Sequence, residues 1–390
     1  MVVKVVLYSH DSMGLGHIRR NLALAHALSD GIEGVTGLLV AGRPEATRFA
    51  APDGWDWLIL PGVEPAPQGY TVRSLNSDLS TVTAMRGEIF RVAMRTFAPD
   101  LIVIDRHPLG VNRELEGALR RLRTEHPACR IVLGLRDVLD SPEVAAAEWR
   151  ALGGGHALRA YLDAVWVYGD PRIHDLTASE ELPTSLRDLV THTGYLAEGR
   201  VAGHAHDITG PFVLTTVGGG ADGTALATAA AAAPVPAGHR HLIVTGPQMA
   251  AADRHRVEEL AGPTTQVVRR VPDALPLLSR ASAVICMAGY NTICEVMSTD
   301  TPALVAPRSQ RRAEQRLRAH ALARTGAIET ILPWEANPER IGAWLTENVG
   351  RRIARRGIEL DGLTRVPRLA SELLDSRHAL PSQGGERIAV

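Results

Sequence analysis

The sequence predicts an α/β fold class: two doubly wound domains, each a parallel sheet covered by helices on both faces. Three observations predict it. Strand-length apolar runs alternate with helical stretches, as in parallel strands joined by crossover helices. The alternation stops in a polar, Gly- and His-rich stretch over residues 197–210 and then restarts. The length of 390 residues is too great for one compact open-sheet domain and suits two. The expected divisions are a first domain over 1–196, a linker over 197–210, a second domain over 211–365, and a C-terminal helix with a frayed tail over 366–390.

In order, the first-domain strands are expected at Val2–Ser9, Val35–Val40, Trp57–Leu60, Asp100–Asp105, Arg130–Leu135, Ala164–Tyr168 and Thr191–Thr193. Helical patterns lie between them near His17–Ser29, Ser74–Phe97, Arg113–Thr124 and Glu143–Arg150. After the linker come a strand at Pro211–Val217, an alanine-rich helix over Ala225–Ala233, a strand at His241–Val244, a helix near Ala250–Leu260 and a strand at Gln266–Arg269. Strands at Ala283–Met287, Ala303–Ala306 and Ile328–Leu332 complete the series.

A net charge of −1 gives no global attraction to nucleic acid or to an anionic membrane. Lys4 is the only lysine, a bias that together with the alanine excess reads as the coding bias of a GC-rich genome. Cys129, Cys286 and Cys294 show no metal-ligand spacing and read as reduced thiols of a cytosolic protein. The sequence opens directly on a strand, and no apolar run approaches the ~18 residues of a membrane span. A cytoplasmic location without stable membrane insertion is therefore expected.

The most informative stretch is 281–327. A buried strand runs through Ala288-Gly289 into a helix carrying Asn291, Thr292 and Glu295. A second strand then leads through Pro307 and a loop with Arg308, Arg311 and Arg312 to a helix carrying Glu314 and Gln315. Two strand-to-helix turns in succession form a β-α-β-α unit, and such units bind ligands at the carboxyl ends of their strands. Glu295, expected near the end of the first turn of its helix, could accept two hydrogen bonds from a vicinal diol or simply stabilise the helix. The arginines could meet phosphate or form a solvated helix face.

Four other loops follow strand ends. Ser12-Met13-Gly14-Leu15-Gly16-His17 lets the backbone turn sharply before a helix N-terminus. There His17 is either a general base or a loop-orienting group, with His10 and Asp11 as rivals. Gly218-Gly219-Gly220 suits an oxyanion cradle or a flexible turn. Asp105-Arg106-His107-Pro108 and Arg136-Asp137-Val138-Leu139-Asp140 end two first-domain strands, where buried arginine–aspartate pairing competes with a substrate role. Val271 precedes a second-domain helix.

The order of these polar residues resembles the nucleotide-sugar site of GT-B glycosyltransferases of the MurG-like group, within glycosyltransferase family 28. The resemblance covers nearly the whole chain and is most specific over 267–327. It implies two Rossmann-like domains facing across a cleft, with the nucleotide-sugar donor on the second and the acceptor on the first. By resemblance Gly218, Gly219, Gly220, Asn291 and Thr292 meet the donor diphosphate, Val271 the base and Glu295 the ribose, while Glu314 and Gln315 read the sugar hydroxyls. The MurG pattern has two glutamines at the last pair, so Glu314 puts N-acetylglucosamine as donor sugar in doubt. Gly14, Gly16, His107, Arg136 and Asp137 fall on the acceptor side, with His17 as base and Asp11, Asp105 or His107 as alternatives.

The activity so implied is inverting transfer from a UDP-sugar, without metal or other cofactor because no Asp-x-Asp is present, to a soluble acceptor, in bacterial natural-product biosynthesis. Thymine remains open as the base. Trp55 and Trp57 are the nearest thing to a membrane-facing patch and could equally be core. A UDP-sugar 2-epimerase of the same fold and a non-catalytic nucleotide-sugar-binding protein remain as alternatives. A dinucleotide oxidoreductase is disfavoured by the missing GxGxxG and by Ala41-Gly42-Arg43 where an acidic residue would stand.

Overall fold

The structure, a computed structural model, describes residues 2–11, 14–66, 69–204, 206–308 and 312–376. Ser12, Met13, Arg311 and the tail from 377 lie outside the described residues. The first domain holds β1 (Val3–Tyr8), β2 (Val35–Ala41), β3 (Trp55–Ile59), β4 (Val63–Ala66), β5 (Gly69–Val72), β6 (Leu101–Asp105), β7 (Arg130–Arg136), β8 (Ala164–Tyr168) and β9 (Val190–His192). The second holds β10 (Phe212–Thr216), β11 (Arg240–Val244), β12 (Thr265–Val268), β13 (Ala283–Cys286), β14 (Ala303–Val305) and β15 (Glu329–Thr330).

Seven strands form the first sheet in the order β3-β2-β1-β6-β7-β8-β9, and six form the second in the order β12-β11-β10-β13-β14-β15. All pairings within both sheets are parallel. Strand order reverses between β1 and β6 in one sheet and between β10 and β13 in the other. In open α/β sheets, ligands bind outside the strand ends at such a reversal. The loops singled out by sequence, after β1, β6, β10 and β13, stand at these two places.

β6, β10 and β13 are buried along their whole length. A parallel sheet covered on both faces buries its central strands in this way, and their sequences are mainly apolar. One apolar core crosses the domain boundary, joining Leu24, Leu28 and Tyr168 to Tyr290, Ile293, Val296 and Val366.

Several local expectations are corrected. The helix expected from Ser74 starts at Leu79, because Asp78 takes the cap and accepts a hydrogen bond from Thr81 N at 2.8 Å. Val63–Ala66 and Gly69–Val72, where the sequence pattern marks no strand, pair as the antiparallel β4 and β5. Glu295 lies in the second turn of its helix, Tyr290–Met297. The C-terminal helix runs Gly362–Asp375 and returns to the first domain: a Cβ on Gly31 would lie 2.4 Å from Pro367 Cβ, and Arg130 Nε donates to Leu373 O at 3.3 Å. Trp55, by contrast, is core as the sequence allowed, its indole covering Gly37 and donating to Ser29 Oγ at 2.7 Å.

Candidate active site

The helix Gly16–Gly31 follows β1 and places His17 beside the end of β6. His17 Nδ1 is 2.7 Å from Asp105 Oδ2. A carboxylate only accepts, so Nδ1 carries the proton and Nε2 carries the lone pair. Burial lowers the His17 pKa and outweighs the opposing pull of Asp105, which leaves the ring neutral near pH 7. Burial would raise the Asp105 pKa, but Arg20 and His17 together hold it below the carboxylate range. The His17 side chain is 13 % exposed, so it is not sealed from the surface.

Around this pair, His10 lies with its ring centre 3.9 Å from that of His107 and 5.9 Å from that of His17, and its Nε2 is 2.6 Å from Tyr70 Oη. Burial pushes both His10 and His107 well below the ordinary histidine value, so both are neutral. Asp11 turns away from His17. Its carboxylate lies against Gly42 and 2.7 Å from Arg86, which also binds Glu114.

The second domain closes over this loop. Asn291 Nδ2 donates to Gly16 O at 2.8 Å. Glu295, buried, accepts from Arg19 at 2.5 Å, with Arg200 Nη1 3.8 Å away. Arg136 meets Glu314 at 2.5 Å. Burial lowers the Arg136 pKa to about 10 against the pull of Glu314, while Arg136, Arg318, Arg308 and Arg312 overcome burial to hold Glu314 at about 2. Gln315 Oε1 accepts from Arg308 N at 3.1 Å. Asp137 is taken up by Arg318, whose Nη2 lies 2.6 Å away.

After β10, Gly218 and Gly220 adopt φ of +62° and +92°, and a Cβ on Gly220 would lie 2.3 Å from Thr245 O. Only glycine fits there. Thr292 sits in the first turn of its helix, beside Gly289. Val271 is half-buried, and two residues on Asp273 accepts from Gly203 N at 2.6 Å. The structure thus brings Gly16, His17, Asp105, Asn291 and Glu295 to one cleft, while Asp11 and Asp137 face internal arginines.

Residues 215–352 match the glycosyltransferase family 28 C-terminal domain. The fold is GT-B. The chain is similar over 97 % of its length to the glycotransferase of kitacinnamycin (98 % of that chain, 16 % identity, TM-score 0.59). It is likewise similar over 97 % of its length to Acinetobacter baumannii MurG (100 % of that chain, 16 % identity, TM-score 0.54). It is 27 % identical over 126 residues to the UDP-N-acetylglucosamine–N-acetylmuramyl-(pentapeptide) pyrophosphoryl-undecaprenol N-acetylglucosamine transferase of Histophilus somni (strain 129Pt). That match spans 31 % of this chain and 35 % of the relative's length.

Within the GT-B frame, Asn291, Thr292, Glu295, Glu314 and Gln315 fall in the stretch that matches this domain. Sequence reasoning missed Arg19, Arg20, Arg200, Tyr290 and Arg318. For Arg19 and Arg20 a signal was present: cations near the N-terminus of a helix oppose its dipole and call for carboxylate partners. Among the described residues no helix is long and apolar enough to cross a membrane, and no group of three or more His, Cys, Asp or Glu is placed to hold a metal ion.

Proposed function

We propose that this chain is an inverting, metal-independent glycosyltransferase that moves a sugar from a UDP-sugar to a soluble small-molecule acceptor in bacterial natural-product biosynthesis. The observation that carries the reading is the His17–Asp105 pair at 2.7 Å, facing a family 28 domain whose Asn291 reaches Gly16 at 2.8 Å. A base oriented by a buried carboxylate thus stands opposite the helix expected to hold the donor diphosphate. The relative named for UDP-N-acetylglucosamine supports the donor class, and the neighbour named for kitacinnamycin supports the acceptor class.

In this reaction the acceptor's nucleophile attacks the anomeric carbon as its proton passes to His17 Nε2. The bond to the diphosphate oxygen breaks on the opposite face, which inverts the centre. The developing charge falls to backbone N–H groups near Gly219 and at the first turn of Tyr290–Met297. Glu295 receives the ribose hydroxyls, and a cytoplasmic setting supplies the donor.

Calorimetric titration with UDP, dTDP, GDP and NAD tests the donor site. Binding of UDP, or of dTDP, that is lost in Glu295→Ala is expected. Binding of NAD alone, or of none of the four, rejects the reading. Product analysis then separates transfer, giving free UDP and a glycoside, from epimerisation of the nucleotide sugar. Full activity in excess EDTA is the expected sign of metal independence. His17→Ala should keep nucleotide affinity and slow transfer by roughly a hundredfold or more.

A further inference from the structure

The proposed reaction makes no use of a cation that touches its base. Arg20 is 2 % exposed and sits in the same helix as His17. Its Nη2 lies 2.6 Å from both Asp105 oxygens and 3.0 Å from His17 Nδ1. Since Nδ1 already gives its proton to Asp105, the last approach is a contact between charge and ring, not a second hydrogen bond. The guanidinium also lies 5.4 Å from the ring centre of Tyr290, on the second-domain helix. Tyr290 is itself fixed, its hydroxyl donating to Tyr168 O at 2.9 Å and accepting from Leu196 N at 3.3 Å. A buried cation near a helix N-terminus opposes the dipole and costs desolvation, so its place needs a compensating reason.

Resting on the reading of His17 as the base, we propose that Arg20 is a positioning residue that holds Asp105 in line with Nδ1 and balances its charge, so that Nε2 stays free to take the acceptor's proton. An uncompensated carboxylate bonded to a buried imidazole draws a proton onto the ring and fills the site the acceptor needs. A guanidinium bridging that carboxylate cancels most of the pull while preserving its aim. The charged and titratable groups facing His17 come from every element around it. They are Asp105 at the end of β6, Arg136 at the end of β7, His10 after β1, His107 after β6, Arg20 on its own helix and Tyr290 from the second domain. The two other histidines are neutral, so Asp105 and the two arginines set the field.

The test is an NMR pH titration of the intact protein labelled with nitrogen-15 histidine, without substrate, with His17 assigned by its absence in His17→Gln. In the wild type the His17 midpoint should lie below the ordinary 6.5 despite the aspartate contact. Arg20→Gln, which keeps a donor for Asp105 but no charge, should raise the midpoint by about one pH unit or more. Arg20→Lys should bring it most of the way back. A wild-type midpoint above 6.5, or an Arg20→Gln midpoint unchanged or lowered, would overturn the proposal. If Arg20→Gln does not fold, Arg20→Met, of similar length and uncharged, carries the same test, because burial by itself already lowers the wild-type midpoint. The titration needs no nucleotide, so its failure leaves the transferase reading standing, and failed nucleotide binding leaves the titration intact.

Discussion

Arg19 Nη2 stands 2.5 Å from Glu295 Oε1, tying the first helix of one domain to a cleft helix of the other. A ribose hydroxyl that seeks this carboxylate must displace a guanidinium first. A site competent only part of the time binds more weakly in proportion. Arg19 is more than a third exposed, which limits the pair to about 1 kcal/mol. Arg19→Gln should therefore tighten UDP binding by about two- to fivefold in calorimetry. Weaker binding would instead make Arg19 a direct nucleotide contact.

Gly220 and Gly218 should differ sharply on substitution. Gly218→Ala meets open space and faces only the left-handed backbone cost of about 1 kcal/mol. Gly220→Ala adds a collision with Thr245 O at 2.3 Å and should lose about 3 kcal/mol or more. Denaturant melts of the two variants read the difference, and equal losses would contradict the geometry of this turn.

Asp137 and Arg318 form a buried pair linking the domains, both side chains 1 % exposed or less. Removing either partner strands a charge, so Asp137→Ala and Arg318→Ala should each cost about 3–5 kcal/mol. Chemical unfolding measures this. A loss of catalysis with full stability would return Asp137 to the acceptor pocket.

His241 gives the fold an acid weakness. Burial depresses its pKa to about 4, and its Nε2 is 2.8 Å from Thr215 Oγ1. The folded value lies below the unfolded one, so the stability linked to this group is present above pH 6.5 and is lost as pH falls towards about 4. Between pH 7 and pH 5 the expected loss is about 2 kcal/mol. His241→Gln should reduce the drop between those two pH values by that amount in urea melts. An unchanged drop would mean that His241 takes up its proton as readily in the fold as in the unfolded chain.

Most of the fold was legible because buried parallel strands such as Leu101–Asp105 and Phe212–Thr216 open on apolar runs that local sequence displays. The glycines after β10 were legible for the same local reason, since the turn needs left-handed backbone. The β4–β5 pair was not legible because Pro65 and Gly69 are poor strand formers, though both fit a short two-stranded ribbon. The ion pairs Arg19–Glu295 and Arg318–Asp137 join residues 276 and 181 positions apart, and no local pattern encodes partners so distant. Pro367 obscured where the last helix starts, because a proline inside a helix reads as a break.

The return of Gly362–Asp375 to the first domain makes the second domain an insertion held at both ends. Its two crossing strands run side by side, with Tyr195 N donating to Glu359 O at 2.8 Å, Glu198 N to Leu360 O at 3.0 Å and Gly362 N to Tyr195 O at 3.0 Å. Two tethers laced together at one edge act as a door hinge. Any relative movement of the two domains must therefore pivot on this one edge, where the backbone of both crossings is bonded together.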